Sequence, residues 1–323
     1  MKLRRALAGI VSLVAVVSVF AAPQASAAQC AYQRVDLPMP AGFPNGVING
    51  SSTDNSRIVA AYHNGTAMRG LLWVNSTLRV LPPGASPSHA VVPKAVNNTS
   101  VVVGVQEASG SSQAFRYENS TYTFLQTTPN ENSSALFVND AGDVVGEVWA
   151  KPDDGRRTVV LWPRNGARKS FGEGEVDGFN AQRKILVFDR GQEQSLIIDG
   201  DTGARTAIGG REPQVLDNDR VLNHDYVEGT GEQISEWGLD GVKVGSHLGG
   251  FWAHGRNNSG TVLGDSTGQV PSLWRPSGRT EVVADKVPSM FYYSDVTDAA
   301  TLIGTHYSGD NSLVPARWLW VCS

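Results

Sequence analysis

A short word recurs along the chain and limits what it can fold into more than any other feature. Two clear copies are Asn139-Asp140-Ala141-Gly142-Asp143-Val144-Val145-Gly146 and Asn257-Asn258-Ser259-Gly260-Thr261-Val262-Leu263-Gly264, followed downstream by Val160-Leu161-Trp162 and Ser272-Leu273-Trp274. Looser copies run from Thr53 to Ala60 before Leu71-Leu72-Trp73, from Asn97 to Gly104 before Phe115-Arg116-Tyr117, and from Thr297 to Gly304 before Ala316-Arg317-Trp318. Two degraded copies, Asn180 to Val187 and Leu216 to Asn223, fill the interval. The words end at residues 60, 104, 146, 187, 223, 264 and 304, so successive units lie 44, 42, 41, 36, 41 and 40 residues apart. A fixed period of this size makes each unit one supersecondary element that buries its apolar face only against its neighbours.

Inside the best unit, Ala135 to Asn139, Val144 to Ala150, Thr158 to Trp162 and Arg168 to Phe171 read as four short strands. The breaks between them are rich in Asn, Asp and Gly, which supply the positive φ of tight hairpins. Helical periodicity is absent downstream of the first residues. Four antiparallel strands repeated seven times predict an all-β fold, a single seven-bladed β-propeller of four-stranded blades. One large ring per unit, at Trp73, Tyr117, Trp162, Trp237, Trp274 and Trp318, is expected to fill the wedge between neighbouring blades.

The last unit stops after its third strand, Pro315 to Val321, and its missing fourth strand is expected at the other end of the chain. Arg34-Val35-Asp36-Leu37-Pro38 resembles the fourth strand of the first unit, Leu78-Arg79-Val80-Leu81-Pro82. The N-terminal strand would then join the C-terminal blade, closing the ring and leaving no open seam. Cys30 and Cys322 are the two cysteines of the chain and would enter this shared blade together. In an exported protein a disulfide between them is expected, stabilising by about 4–5 kcal/mol on the chain-entropy argument. The alternative is two unrelated thiols.

Export itself is read from the first residues. Lys2, Arg4 and Arg5 precede an apolar run from Ala6 to Ala22, and Ala25-Ser26-Ala27 offers small residues at a cleavage site. Residues 1–27 are therefore expected to be a secretory signal peptide and residues 28–323 the propeller domain, secreted and extracellular. A membrane anchor is the alternative reading of the run, but it is short and lacks stop-transfer charges behind it. Losing residues 1–27 removes three of the 27 basic residues and none of the 31 acidic ones, taking the formal charge from −4 to −7. An acidic chain without a basic stripe is a poor partner for nucleic acid, and no second apolar segment is long enough to span a bilayer. The closed ring is expected to be a monomer.

The word Asn-x-x-Gly-x-Val-Val-Gly with its following Leu-Trp segment resembles the repeats of the HAF family of bacterial extracellular proteins. The likeness spans residues 31–321, is good in units two, three and six, and is degraded in units four and five, where the final Gly becomes Val187 or Asn223. It implies an extracellular propeller and carries over no catalytic residue.

No Gly-x-Ser-x-Gly elbow, Ser-x-x-Lys, His-Glu-x-x-His or P-loop is present, so the commonest hydrolase and nucleotide signatures are missing. Asp199-Gly200-Asp201-Thr202-Gly203 echoes a calcium loop, but it lacks the later acidic ligands and reads as a hairpin. No cofactor and no metal is expected. Propellers bind at the rim of their channel, where each first strand begins. Counting back from the words, the rim positions are Ile48, Val92, Ser134, Glu175, Arg211, Trp252 and Tyr292, and two residues further in stand Gly50, Lys94, Leu136, Asp177, Pro213, His254 and Ser294. Glu175, Asp177, Trp252, His254 and Tyr292 therefore form the expected ligand site, the aromatic residues as stacking platforms and the others as polar groups. The leading expectation is a non-catalytic module holding a glycan, small molecule or protein at the channel mouth. The alternative is a carbohydrate-active enzyme, a glycoside hydrolase or polysaccharide lyase, using the same carboxyls.

Overall fold

Each copy of the word closes a turn, and that turn positions everything else. Asn97 Oδ1 accepts from the Thr99 and Val101 amides at 3.1 and 2.8 Å, and Asn257 Oδ1 accepts from the Thr261 amide at 2.8 Å. The side-chain amide of the same Asn reaches the next unit, Asn97 Nδ2 donating to Asn139 O and Asn257 Nδ2 to Thr297 O, both at 2.8 Å. One residue thus ends a strand, starts the next and ties its unit to its neighbour. Asn97 and Asn257 are buried and engaged in this way, so their Asn-x-Ser/Thr sequences are structural.

The computed structural model describes residues 30–283, 290–309 and 312–322, with the side chains of residues 290–294 and of Cys322 outside the description. The expected leader, residues 1–27, lies outside the described residues. Every regular element among the described residues is a strand. The chain opens with β1 (Cys30–Asp36), and blade 1 follows as β2 (Gly46–Ser51), β3 (Arg57–His63), β4 (Met68–Val74) and β5 (Thr77–Val80). Blade 2 is β6 (Ala90–Val96), β7 (Val102–Ala108), β8 (Ser111–Glu118) and β9 (Thr121–Phe124), and blade 3 is β10 (Glu131–Val138), β11 (Val144–Ala150), β12 (Thr158–Trp162) and β13 (Lys169–Glu173). Blade 4 is β14 (Glu175–Phe179), β15 (Lys184–Asp189), β16 (Gln194–Asp199) and β17 (Arg205–Ile208), and blade 5 is β18 (Glu212–Leu216), β19 (Arg220–Val227), β20 (Gly231–Gly238) and β21 (Lys243–Leu248). Blade 6 is β22 (Gly250–Arg256), β23 (Val262–Ser266), β24 (Val270–Trp274) and β25 (Thr280–Val282).

Blade 7 takes β26 (Met290–Val296), β27 (Leu302–Tyr307) and β28 (Leu313–Cys322) from the end of the chain and β1 from its beginning, in the order β1-β28-β27-β26. The molecule is a seven-bladed β-propeller whose ring is closed by its N-terminal strand. The β1–β28 pairing runs from Cys30 opposite Cys322 to Asp36 opposite Ala316. It is reinforced by the Leu37 amide on Pro315 O at 2.8 Å and by His306 Nε2 and Asp36 Oδ1 at 3.0 Å.

Among the described residues, seven apolar clusters fill the ring, one at each seam, including the closing seam where Ile303 of blade 7 meets Ile58, Leu71 and Trp73 of blade 1. Trp73, Trp162, Trp274 and Trp318 are buried in these wedges, and Tyr117 and Trp237 pack half-buried against them. The seams are unequal. Among the described residues, nine buried apolar residues fill the seam between blades 2 and 3, and four, Leu186, Ile197, Ile208 and Val221, fill that between blades 4 and 5. Around blade 5, polar pairs supplement the thin seams: Arg256 Nη1 meets Asp217 Oδ2 at 2.6 Å, and the His224 ring lies edge-on to Phe251 with centroids 5.1 Å apart.

Candidate functional site

The channel wall is built by a bulge repeated in every inner strand. Register shifts at the matching point of each inner strand make Asn49, Lys94, Leu136, Asp177, Gln214, His254 and Ser294 the extra residues of the bulges, and β22 and β26 carry a second shift, at Phe251 and Phe291. A bulge re-aims the side chain of its extra residue, and Asn49, Lys94, Asp177, Gln214 and His254 line a central cavity of about 280 Å³. In blades 2, 3 and 6 the last glycine of the word lies tight against the strand that carries the bulge. A Cβ on Gly104 would stand 2.2 Å from Val92 O, on Gly146 2.0 Å from Ser134 O, and on Gly264 2.0 Å from Trp252 O.

This ring corrects the sequence alignment at two positions. Gly50 and Pro213 were expected in it, whereas Asn49 and Gln214 occupy it. The reason lies in the turns: most close from residue i to i+4, as from Asn97 to Val101, but blade 1 closes from Ser52 to Arg57 and blade 5 from Asp217 to Arg220. One residue more and one fewer displace a count made from the end of the word. Both corrected residues clasp the next blade, Asn49 Nδ2 donating to Pro93 O at 2.7 Å and Gln214 Oε1 accepting from the Ala253 amide at 2.7 Å.

At the mouth where the inner strands begin, a cavity of about 250 Å³ collects Glu175, Asp177, Arg190, Glu212 and Trp252, with Phe188 and Pro213. Glu175, Asp177 and Trp252 are thus brought together as the sequence predicts. His254 shares the central cavity with Asp177 rather than this mouth, and its Nε2 lies 3.0 Å from Asp265 Oδ2. Tyr292 is on β26 opposite Thr305, but its side chain lies outside the described residues.

The electrostatics of the mouth centre on Asp177. Its Oδ2 is buried without a hydrogen-bond partner. Burial, and then the neighbouring Glu175 and Glu147 carboxyls, push its carboxyl up to about 7. Glu147, below it, is also raised by burial, and its Oε1 accepts from the Val176 amide at 2.9 Å. Glu175 forms an ion pair with Arg190. Trp252 remains 39% exposed, whereas the wedge tryptophans Trp73, Trp162, Trp274 and Trp318 are 4% exposed or less. The arrangement therefore offers an open aromatic face, a proton-bearing carboxyl near neutral pH and a paired carboxylate.

Sequence reasoning missed Arg190, Glu212 and Glu147, which come from the loop after β15, the start of the next blade and the second strand of the preceding one. Glu212 is the rim residue of blade 5, two before Gln214 as Glu175 is two before Asp177, and the shorter turn at Asp217 displaces the count onto Arg211; Arg190 and Glu147 share no repeat position with the rim residues, so only the packing of strands and blades brings them in. It also missed Asp295, which lines the central cavity, accepts from Ser51 Oγ at 2.8 Å, and is pushed up to about 6 by burial against the opposing hydrogen bond. The opposite mouth encloses about 250 Å³ lined by word residues such as Asn97, Asn139 and Asn180, whose side chains are already committed to turns and seams. The calcium-loop echo is a hairpin, with Asp199 Oδ1 accepting from the Asp201 and Thr202 amides. No helix among the described residues is long and apolar enough to cross a membrane.

No protein-family model matches the chain, and no curated protein matches it. Solved structures do. An oligogalacturonate lyase in complex with manganese superposes with a TM-score of 0.62 at 10% identity, covering 90% of this chain and 98% of that one. The RRP9 WD40 repeats give 0.62 at 12% identity over 92% and 100% of the two chains, and YCF48 from Cyanidioschyzon merolae gives 0.53 at 9% over 90% and 99%. Identities this low establish the shared propeller architecture.

Proposed function

We propose that the chain is a secreted, monomeric propeller of the HAF repeat type, closed by a Cys30–Cys322 disulfide, that binds a glycan at the mouth between blades 4, 5 and 6 without turning it over. The observation that carries the ligand reading is Trp252, a large ring left 39% exposed on the rim of a cavity containing Asp177 and Glu175. Sugar C–H faces stack on such a ring while carboxyls accept from the hydroxyls, and few other ligands use both at once. Export rests on the basic and apolar leader, and the disulfide on the register that sets residue 30 opposite residue 322. The HAF assignment rests on the word itself.

A second reading, a carbohydrate-active enzyme, is favoured by one specific observation. Asp177 has its carboxyl pushed up to about 7 beside Glu175, which is ion-paired with Arg190, and two neighbouring carboxyls, one of them able to carry a proton near neutral pH, are what acid–base cleavage of a glycosidic bond needs. One experiment separates the readings: the protein is incubated with a panel of polysaccharides, and both retention and soluble product are scored. Retention lost in Trp252→Ala without product from the wild type supports binding. Product that disappears in Glu175→Gln or Asp177→Asn makes the protein an enzyme.

A further inference from the structure

The mouth cavity does not end at Glu175. A second cavity of about 150 Å³ opens between blades 3 and 4 beside Arg156, Glu173 and Gly191, and it shares Glu175 and Arg190 with the first. Ligand sites ordinarily enclose roughly 300–1,000 Å³. Neither cavity reaches that range alone, and together they do.

What separates them is the Glu175–Arg190 ion pair, whose Arg190 side chain is 73% exposed and Glu175 37%. A pair this open to water is weakly held, so a ligand that displaces or bridges it gives up little. Gly191 leaves the second cavity without a side chain at that wall. Charge narrows the ligand further. In the second cavity Arg156 is matched by Glu173 at 3.3 Å, and Arg157 by Asp153 at 2.8 Å. The mouth sets three carboxyls, those of Glu175, Asp177 and Glu212, against Arg190 alone. An anionic chain would be repelled there.

We propose that the ligand is a neutral linear oligosaccharide that crosses the Glu175–Arg190 pair, with one end over Trp252 and the other in the cavity between blades 3 and 4. This rests on the glycan reading and adds to it a minimum chain length, a direction across the face and an absence of acid groups.

The test is calorimetric titration of the protein with cello-, manno- and xylo-oligosaccharides of one to six units, and with oligogalacturonates of the same lengths. In at least one neutral series affinity should climb by about tenfold or more between the disaccharide and the tetrasaccharide and then level off. Gly191→Val, which fills the second cavity, should bring the hexasaccharide back towards the disaccharide affinity with an unchanged melting temperature. Arg156→Ala provides a second probe of that arm should Gly191→Val fail to fold. Affinity independent of chain length, a hexasaccharide indifferent to both variants, or oligogalacturonates binding as tightly as neutral chains would overturn the proposal while leaving the glycan reading in place. Failure of every saccharide, in this titration and on the polysaccharide panel, removes the glycan reading as well.

Discussion

Blades 2 and 3 and blades 4 and 5 solve the same packing problem with their glycines on opposite sides of one contact. In blades 2 and 3 the second strand supplies the glycine, Gly104 or Gly146, and the carbonyl before the bulge presses onto it. In blades 4 and 5 the second strand carries Val187 or Asn223, and the glycine moves to the segment entering the inner strand. A Cβ on Gly174 would stand 2.4 Å from Val187 Cγ1, and one on Gly210 would stand 2.9 Å from Asn223 Cβ. The inner strand is therefore entered through a bare backbone at blades 4 and 5, beside the mouth cavity. The repeat is broken in two of the three blades that line the mouth cavity.

The largest test of this contrast is Gly146→Val. The new side chain meets Ser134 O and the Ala135 Cα, both backbone, so the loss in chemical denaturation should be about 3–5 kcal/mol or outright failure to fold. A loss below about 1 kcal/mol would show that the bulge tolerates a side chain in any blade. The exchange in blade 4 predicts coupling instead. Gly174→Ala should cost about 2 kcal/mol in the wild type and at least about 1 kcal/mol less in a Val187→Ala background, and additivity of the two would contradict the shared contact.

The seams differ in the same sense. Asn97 donates to the next blade at 2.8 Å, whereas Asn180 reaches Asp217 O and Asn218 O at 3.3 and 3.2 Å. Asn97→Ala should therefore lower stability by about 2 kcal/mol and Asn180→Ala by about 1 kcal/mol, and the reverse order would show that seam geometry does not set these losses.

A further effect concerns protons. Asp177 has its folded pKa raised to about 7 from an ordinary 3.8. Between those values the native state binds more protons than the unfolded state, so stability falls as pH rises through that window. Asp177→Asn removes the slope. Melting curves should show the variant gaining stability over the wild type as pH rises from 4 to 8 and level with it near pH 4, while Leu136→Asn, at the matching position of blade 3, shows no such pH-dependent gain. A Asp177→Asn benefit that is the same at both pH values would place the Asp177 proton affinity elsewhere.

Much of this molecule is legible in its sequence because a propeller is a local code. The word, its spacing and the unfinished last unit are enough to predict seven blades and the closing strand, and the rim count finds Glu175, Asp177 and Trp252. What escapes it depends on non-local packing or on single-residue changes in loop length. The longer turn at Ser52 and the shorter one at Asp217 shift the bulge ring at Asn49 and Gln214. The same shorter turn hides Glu212, the rim residue of blade 5, while Arg190 and Glu147 come from other blade positions and join the rim only when strands and blades are assembled. The exchange of Gly174 for a word glycine is visible only as a contact, since Val187 by itself reads as decay of the repeat.

The proposed ligand site at the mouth formed by blades 4, 5 and 6 is tested most directly by amide hydrogen exchange of the whole protein with and without its best-retained oligosaccharide. Protection should concentrate in the segments around Glu175, Arg190, Glu212 and Trp252. Protection confined to the word turns at Asn97, Asn139 and Asn257, on the opposite mouth, would contradict it.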